Sequence, residues 1–208
     1  MELREAMAQI AEIRQQMARG QLFRGYRAAT TAFSGVAAIV TAAAQSVLVR
    51  EPAREPIAFV QLWVLAAVAS VVVVAMEMVI RVRRSASGVQ KQLTMLAVEQ
   101  FVPSIVAGGL LTYAVCAYAP LQTWMLPGLW MVVFALGMFA SSRLLPRTVF
   151  GVAGFYLVAG VMTFVLSAPE GDQLPGLAYS PLLMGGVFGV GQLATAGVLY
   201  WKLERGHE

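Results

Sequence analysis

Six blocks of almost unbroken apolar sequence alternate with short stretches where charge, proline and glycine collect. The blocks run over residues 28–49, 58–80, 101–118, 121–142, 148–167 and 181–201. A bilayer core about 30 Å thick takes roughly 20 residues of helix, so each block predicts one membrane span. The third can begin as early as residue 93 if its first turns lie at the interface. Helices are expected rather than strands, because in lipid each segment must satisfy its own backbone hydrogen bonds.

The stretches between blocks are rich in helix breakers. Pro52 and Pro56 bracket the first, Ser85-Ala86-Ser87-Gly88 sits in the second, and Ala119-Pro120 makes the third very short. Pro146 follows the fourth block, while Pro169, Gly171, Pro175 and Gly176 fill the fifth connection. Proline lacks the amide hydrogen a helix needs and glycine is loose, so these clusters end helices. Pro103 and Pro127 fall within the third and fourth blocks, where proline predicts kinks.

Composition agrees with the pattern. Of the residues, 59% are hydrophobic and only 12% charged, against about 25% charged in a soluble domain. The expected fold class is all-α: a polytopic bundle of six transmembrane helices preceded by a cytoplasmic amphipathic helix. A net charge of +4 would suggest nucleic acid if it were spread over a face, but the basic residues sit in the connections. Arg4, Arg14, Arg19, Arg24, Arg27, Arg81, Arg83, Arg84, Lys91, Arg143, Arg147, Lys202 and Arg205 fall on one side, and only Arg50 and Arg54 on the other. The positive-inside rule puts the larger group in the cytoplasm, with both termini there and the membrane read as a bacterial inner membrane. Trp63, Tyr118, Trp124 and Tyr179 then fall near the outer interface, Tyr26 and Trp201 near the inner one. The start, Met1-Glu2-Leu3-Arg4-Glu5, leads into no short apolar core and does not resemble a cleaved signal peptide.

Three regions follow: a cytoplasmic segment 1–27, a transmembrane domain 28–201 and a tail 202–208. Within the first, Leu3, Met7, Ile10, Ile13 and Met17 recur at helical spacing among Glu2, Arg4, Glu5 and Glu12. This predicts an amphipathic helix that lies on the membrane surface and its own bundle, or docks a protein partner.

Two acidic residues stand out in or near the spans, Glu77 and Glu99. An ionisable group in a membrane costs about 2.5–3.5 kcal/mol at mid-helix and is a functional candidate by default. Glu77 lies one turn before Arg81, and Glu99 two turns after Lys91, so ion pairing at the interface and a shared proton or cation site are both open. The first block carries Ser34, Ala38, Ala42 and Ser46 at i,i+4 spacing, and the last carries Gly185 and Gly189. Small residues let membrane helices approach closely, so these are candidates for a packing seam, inside the bundle or between copies of a homo-oligomer. Gln45, Gln61, Gln122 and Gln192 are polar residues in or beside the blocks whose amides either satisfy one another or a backbone carbonyl, or line a polar pocket.

No block contains His, Asp, Lys or Arg, and the chain has one cysteine, Cys116, and one histidine, His207. A serine-histidine dyad, an aspartyl dyad, a His-ligated metal or haem and a Schiff-base lysine each need a residue missing from the spans. No phosphate-binding GxxxxGK[ST] loop occurs. The expectation is no enzyme, no cofactor, no metal and no nucleic-acid partner.

Several stretches resemble a family of uncharacterised bacterial membrane proteins. The segment Ile10-Ala11-Glu12-Ile13-Arg14-Gln15-Gln16-Met17-Ala18-Arg19 is similar to an Ile-Arg-x-x-Met-Glu-Arg stretch at that family's start. Phe101-Val102-Pro103-Ser104-Ile105-Val106-Ala107-Gly108-Gly109, Leu126-Pro127-Gly128-Leu129-Trp130 and Gly186-Val187-Phe188-Gly189-Val190-Gly191-Gln192 also look alike. Two departures are Ala18, where the family has Glu, and Gln192, where it often has His. The resemblance implies a six-helix bundle and supplies neither an activity nor site residues.

The leading functional expectation is a non-enzymatic membrane module, a sensor or accessory subunit that binds a protein partner or a lipophilic ligand. The alternative is a small transporter or channel for a proton, a cation or a small solute.

Overall fold

The computed structural model describes residues 28–84, 88–143, 147–169 and 176–201, with the backbone alone described at 81, 82, 84, 88–94, 97 and 143. Most of the described residues are helical, with no strand among them. Six helices run α1 (Ala28–Leu48), α2 (Pro56–Arg84), α3 (Gly88–Tyr118), α4 (Leu126–Ala140), α5 (Thr148–Ser167) and α6 (Pro181–Leu199). Each contributes to a stretch long and apolar enough to cross a membrane, the fourth with the help of the 3₁₀ turn Pro120–Met125 that precedes α4. The chain is a multi-pass membrane protein of the all-α class.

The boundaries differ from the apolar blocks in two instructive places. Helix α2 ends at Arg84 and α3 starts at Gly88, so α2 has 29 residues and α3 has 31, about 43 and 46 Å at about 1.5 Å per residue. They outrun a core about 30 Å thick because the helical backbone continues through polar sequence. In the fourth block, Pro127 was expected to kink a helix. It instead stands in the first turn of α4, where the missing N–H has no partner to lose, and the 3₁₀ turn makes up the rest of the span. Pro103 does lie inside α3.

Packing is uneven around the bundle. The broadest contact joins the first and last helices, α1 and α6, followed by α4 with α5 and α3 with α4. Close approach follows from missing side chains. Gly128 of α4 and Gly160 of α5 face each other so tightly that a Cβ on either would stand within 2.9 Å of the other's carbonyl oxygen. On α5 the buried positions Val149, Ala153, Tyr156, Gly160, Thr163 and Ser167 alternate steps of four and three, a period of about 3.5 that keeps one face on its neighbours. Three threonine hydroxyls inside the spans are satisfied locally: Thr41 donates to the Ala37 carbonyl, Thr163 to Ala159 and Thr195 to Gly191, at 2.7–2.8 Å. Such i−4 bonds let a polar side chain sit in lipid without water.

The α2–α3 pair contributes little to this core. Among the described side chains of α2 only Phe59, Val60 and Trp63 are buried, all near its start, and the Val98–Tyr118 stretch of α3 has no buried residue.

Candidate functional site

A polar knot lies at the end of the bundle where α1 finishes and α2 begins. Gln45 is fully buried and uses both ends of its amide. Its Nε2 donates to the Tyr179 carbonyl at 2.7 Å, and its Oε1 accepts from Trp63 Nε1 at 2.8 Å. Thr123 donates to the Pro120 carbonyl at 3.0 Å, which leaves its oxygen to accept the Tyr179 hydroxyl at 2.8 Å. Phe59 fills the middle, edge-on to Tyr179 at 5.1 Å between ring centroids and stacked with Trp130 at 6.5 Å. Trp130 in turn donates to Thr112 of α3 at 2.8 Å. One cluster thus ties α1, α2, α3, α4 and the α5–α6 connection together.

Trp63 and Tyr179, which the sequence places near the outer interface, lie at the end of the bundle that carries the α1–α2 connection and are buried between helices there, at 5% and 3% exposure. Their polar ends are matched by Gln45 and Thr123, which removes the cost of taking them out of water. Tyr118, at 79% exposure, keeps a surface position. Burial pushes the Tyr179 phenol above its usual range, while the hydrogen bond with Thr123 pulls the other way. The four glutamines do not gather into one pocket: Gln122 accepts from Trp124, Gln61 is exposed and Gln192 is half-buried.

A second buried cluster lies deeper, around Tyr156 of α5. Its ring meets Phe134 at 4.9 Å and Phe188 at 5.4 Å, and its hydroxyl donates to the Phe188 carbonyl at 3.3 Å. Gly191 leaves the space its ring occupies. Both clusters hold helices together; neither presents a nucleophile beside a base.

The small-residue candidates separate into two groups. Ala38 and Ala42 of α1 lie against Gly185 of α6, where a Cβ would collide with Ala42, and Gly189 faces Ile39 and the Gly35 carbonyl. Ser34 and Ser46 bond their own helix instead, to the carbonyls of Thr30 and Ala43. The reason is angular. Steps of four residues drift by about 40° each on a helix of 3.6 residues per turn, so a strict i,i+4 row leaves the contact face at both ends. The contact face follows Thr31, Gly35, Ala38, Ala42 and Gln45, and Gly35, which the spacing did not single out, belongs to it: a Cβ there would stand 3.1 Å from Gln192.

The two glutamates occupy different environments. Glu77 lies eighteen residues, or five full turns, after Phe59, on the same face of α2 as Phe59 and Trp63, and is half-buried. It has an interaction partner. Glu99 is exposed. The face of α3 that meets α4 carries Phe101, Ser104 and Gly108, close to Phe134, Gly137 and Val133, and Glu99 points half a turn away from it. The side chains of Arg81 and Lys91, the expected ion-pair partners, lie outside those described. So do Leu3, Met7, Ile10, Ile13 and Met17.

Among the described residues no three His, Cys, Asp or Glu side chains come together to hold a metal. No protein-family model, curated protein or solved structure matches the chain.

Proposed function

We propose that this chain is a non-enzymatic subunit of a bacterial inner membrane, a sensor or accessory protein that works by binding a protein partner. Both termini and the α2–α3 connection are cytoplasmic in this reading, as the distribution of basic residues requires. The observation that carries it is the imbalance of the bundle. Helices α1, α4, α5 and α6 supply most of the buried residues, while α2 and α3, the longest two, leave most of their length uncovered. They also reach beyond the core on the side where the N-terminal segment emerges. The sequence adds an apolar stripe, Leu3, Met7, Ile10, Ile13 and Met17, which in this reading docks the same partner. A lipophilic ligand is the other occupant such surfaces suit.

The test is gentle extraction from the native membrane with and without residues 2–19. The reading predicts a second polypeptide in fixed proportion, lost on deletion. A chain that purifies alone in both forms contradicts it.

One observation favours the transporter alternative: Glu77 stands half-buried on the core-side face of α2 rather than towards lipid. Proton or cation flux through the protein in liposomes, abolished by Glu77→Gln, would establish that alternative in place of the accessory role. Absence of flux is the result the proposal predicts.

A further inference from the structure

Most of the circumference of α3 is exposed, and its centre lies opposite α4. Glu99, Val106, Leu110, Tyr113 and Ala117 are all exposed. At about 100° per residue they fall within about 60° of one another, directly opposite the face that packs on α4. Gly109 at the edge of this stripe has no atom within 4 Å of where a Cβ would stand, so a backbone can approach there unobstructed. Glu99 is the one acid on this face, and among the described side chains no ion pair or hydrogen bond reaches it. Glu99 lies nineteen residues, about 28 Å, from Tyr118, at the boundary of the hydrocarbon.

We infer that this stripe of α3 docks a transmembrane helix of another protein, one that carries Lys or Arg where it leaves the hydrocarbon on the Glu99 side. The inference rests on the accessory reading above and names its surface. Charge complementarity selects the occupant. Helices in such membranes gather Lys and Arg at their cytoplasmic ends, the level at which Glu99 stands, and an acid facing a base across an interface steers and orders the pair. A second copy is the wrong occupant, because a two-fold axis along the membrane normal would set Glu99 beside its own counterpart.

The test places a photo-crosslinking phenylalanine analogue at Tyr113 and, as control, at Val158, which is exposed on α5 at 62%. A third site within residues 2–19 reports on the tail, and all three are irradiated in the native membrane. The expected result is an adduct from position 113, absent from 158, heavier than the 22.3 kDa chain by a different polypeptide. Glu99→Lys should cut its yield about tenfold, corresponding to about 1.4 kcal/mol. Val106→Trp, a bulky residue on a surface with room for it, should do the same without lowering thermal stability. No adduct from 113, an adduct of two copies, an adduct within the chain, equal yield from 158, or a yield untouched by Glu99→Lys overturns the inference. Adducts from the tail alone overturn it while leaving the accessory reading in place; adducts from neither overturn both.

Discussion

Gly128 and Gly160 meet backbone to backbone: a Cβ on Gly160 would stand 2.8 Å from the Gly128 carbonyl oxygen, and one on Gly128 would stand 2.9 Å from that of Gly160. No flexible side chain can yield at this crossing, so α4 and α5 must separate to admit a methyl group. Gly160→Ala should destabilise the protein by about 1–3 kcal/mol. Gly154→Ala, six residues earlier on the same helix with nothing within 4 Å, should lie within about 0.5 kcal/mol of the parent. Thermal unfolding of the two variants in one detergent checks the contrast, and equal midpoints would refute the crossing.

The Gln45 amide should behave as a coupled unit with Trp63. Gln45→Leu leaves the Trp63 indole N–H and the Tyr179 carbonyl without their partner, at about 1–3 kcal/mol for each buried group. Trp63→Phe leaves Gln45 Oε1 without its donor in turn. The double variant should therefore lose less than the sum of the singles, with a coupling of about 0.5–3 kcal/mol. Additive losses in a double-mutant cycle would mean that the two side chains do not meet.

Tyr179 predicts an alkaline limit. Burial raises its phenol above the ordinary 10.0, so above about pH 10 the folded chain still holds a proton that the unfolded chain has released. Stability from this group is thus complete below pH 10 and falls as pH climbs beyond it. Unfolding midpoints between pH 8 and 12 should show this loss in the parent and a shallower one in Tyr179→Phe. Parallel curves would remove Tyr179 as the cause.

The spans were legible in the sequence because burial in lipid acts on every residue of a helix, leaving runs that no local detail can hide. What decides the interior is longer in range. That Trp63 belongs inside depends on Gln45, eighteen residues earlier, and on Tyr179, far later in the chain. Ser34 and Ser46 matched a small-residue row by count, yet the contact face advances by about 3.5 residues and leaves them at its margins. Glu77 and Glu99 look alike as acids near span ends. Only the packing of α2 and α3 puts one on the core side and the other outward.

Orientation is tested by fusions. A periplasm-active reporter placed after Asp172 should be active and one after Ser87 silent, as 13 basic residues against 2 require. The reverse pattern would turn the chain over and put the N-terminal segment outside.

Native mass spectrometry of the protein released in patches of its own membrane reaches the accessory role most directly. The account predicts a complex heavier than 22.3 kDa by one defined, different polypeptide, and its collapse to the single chain when residues 2–19 are removed. A lone chain, or a species of twice its mass, in the full-length sample would contradict it.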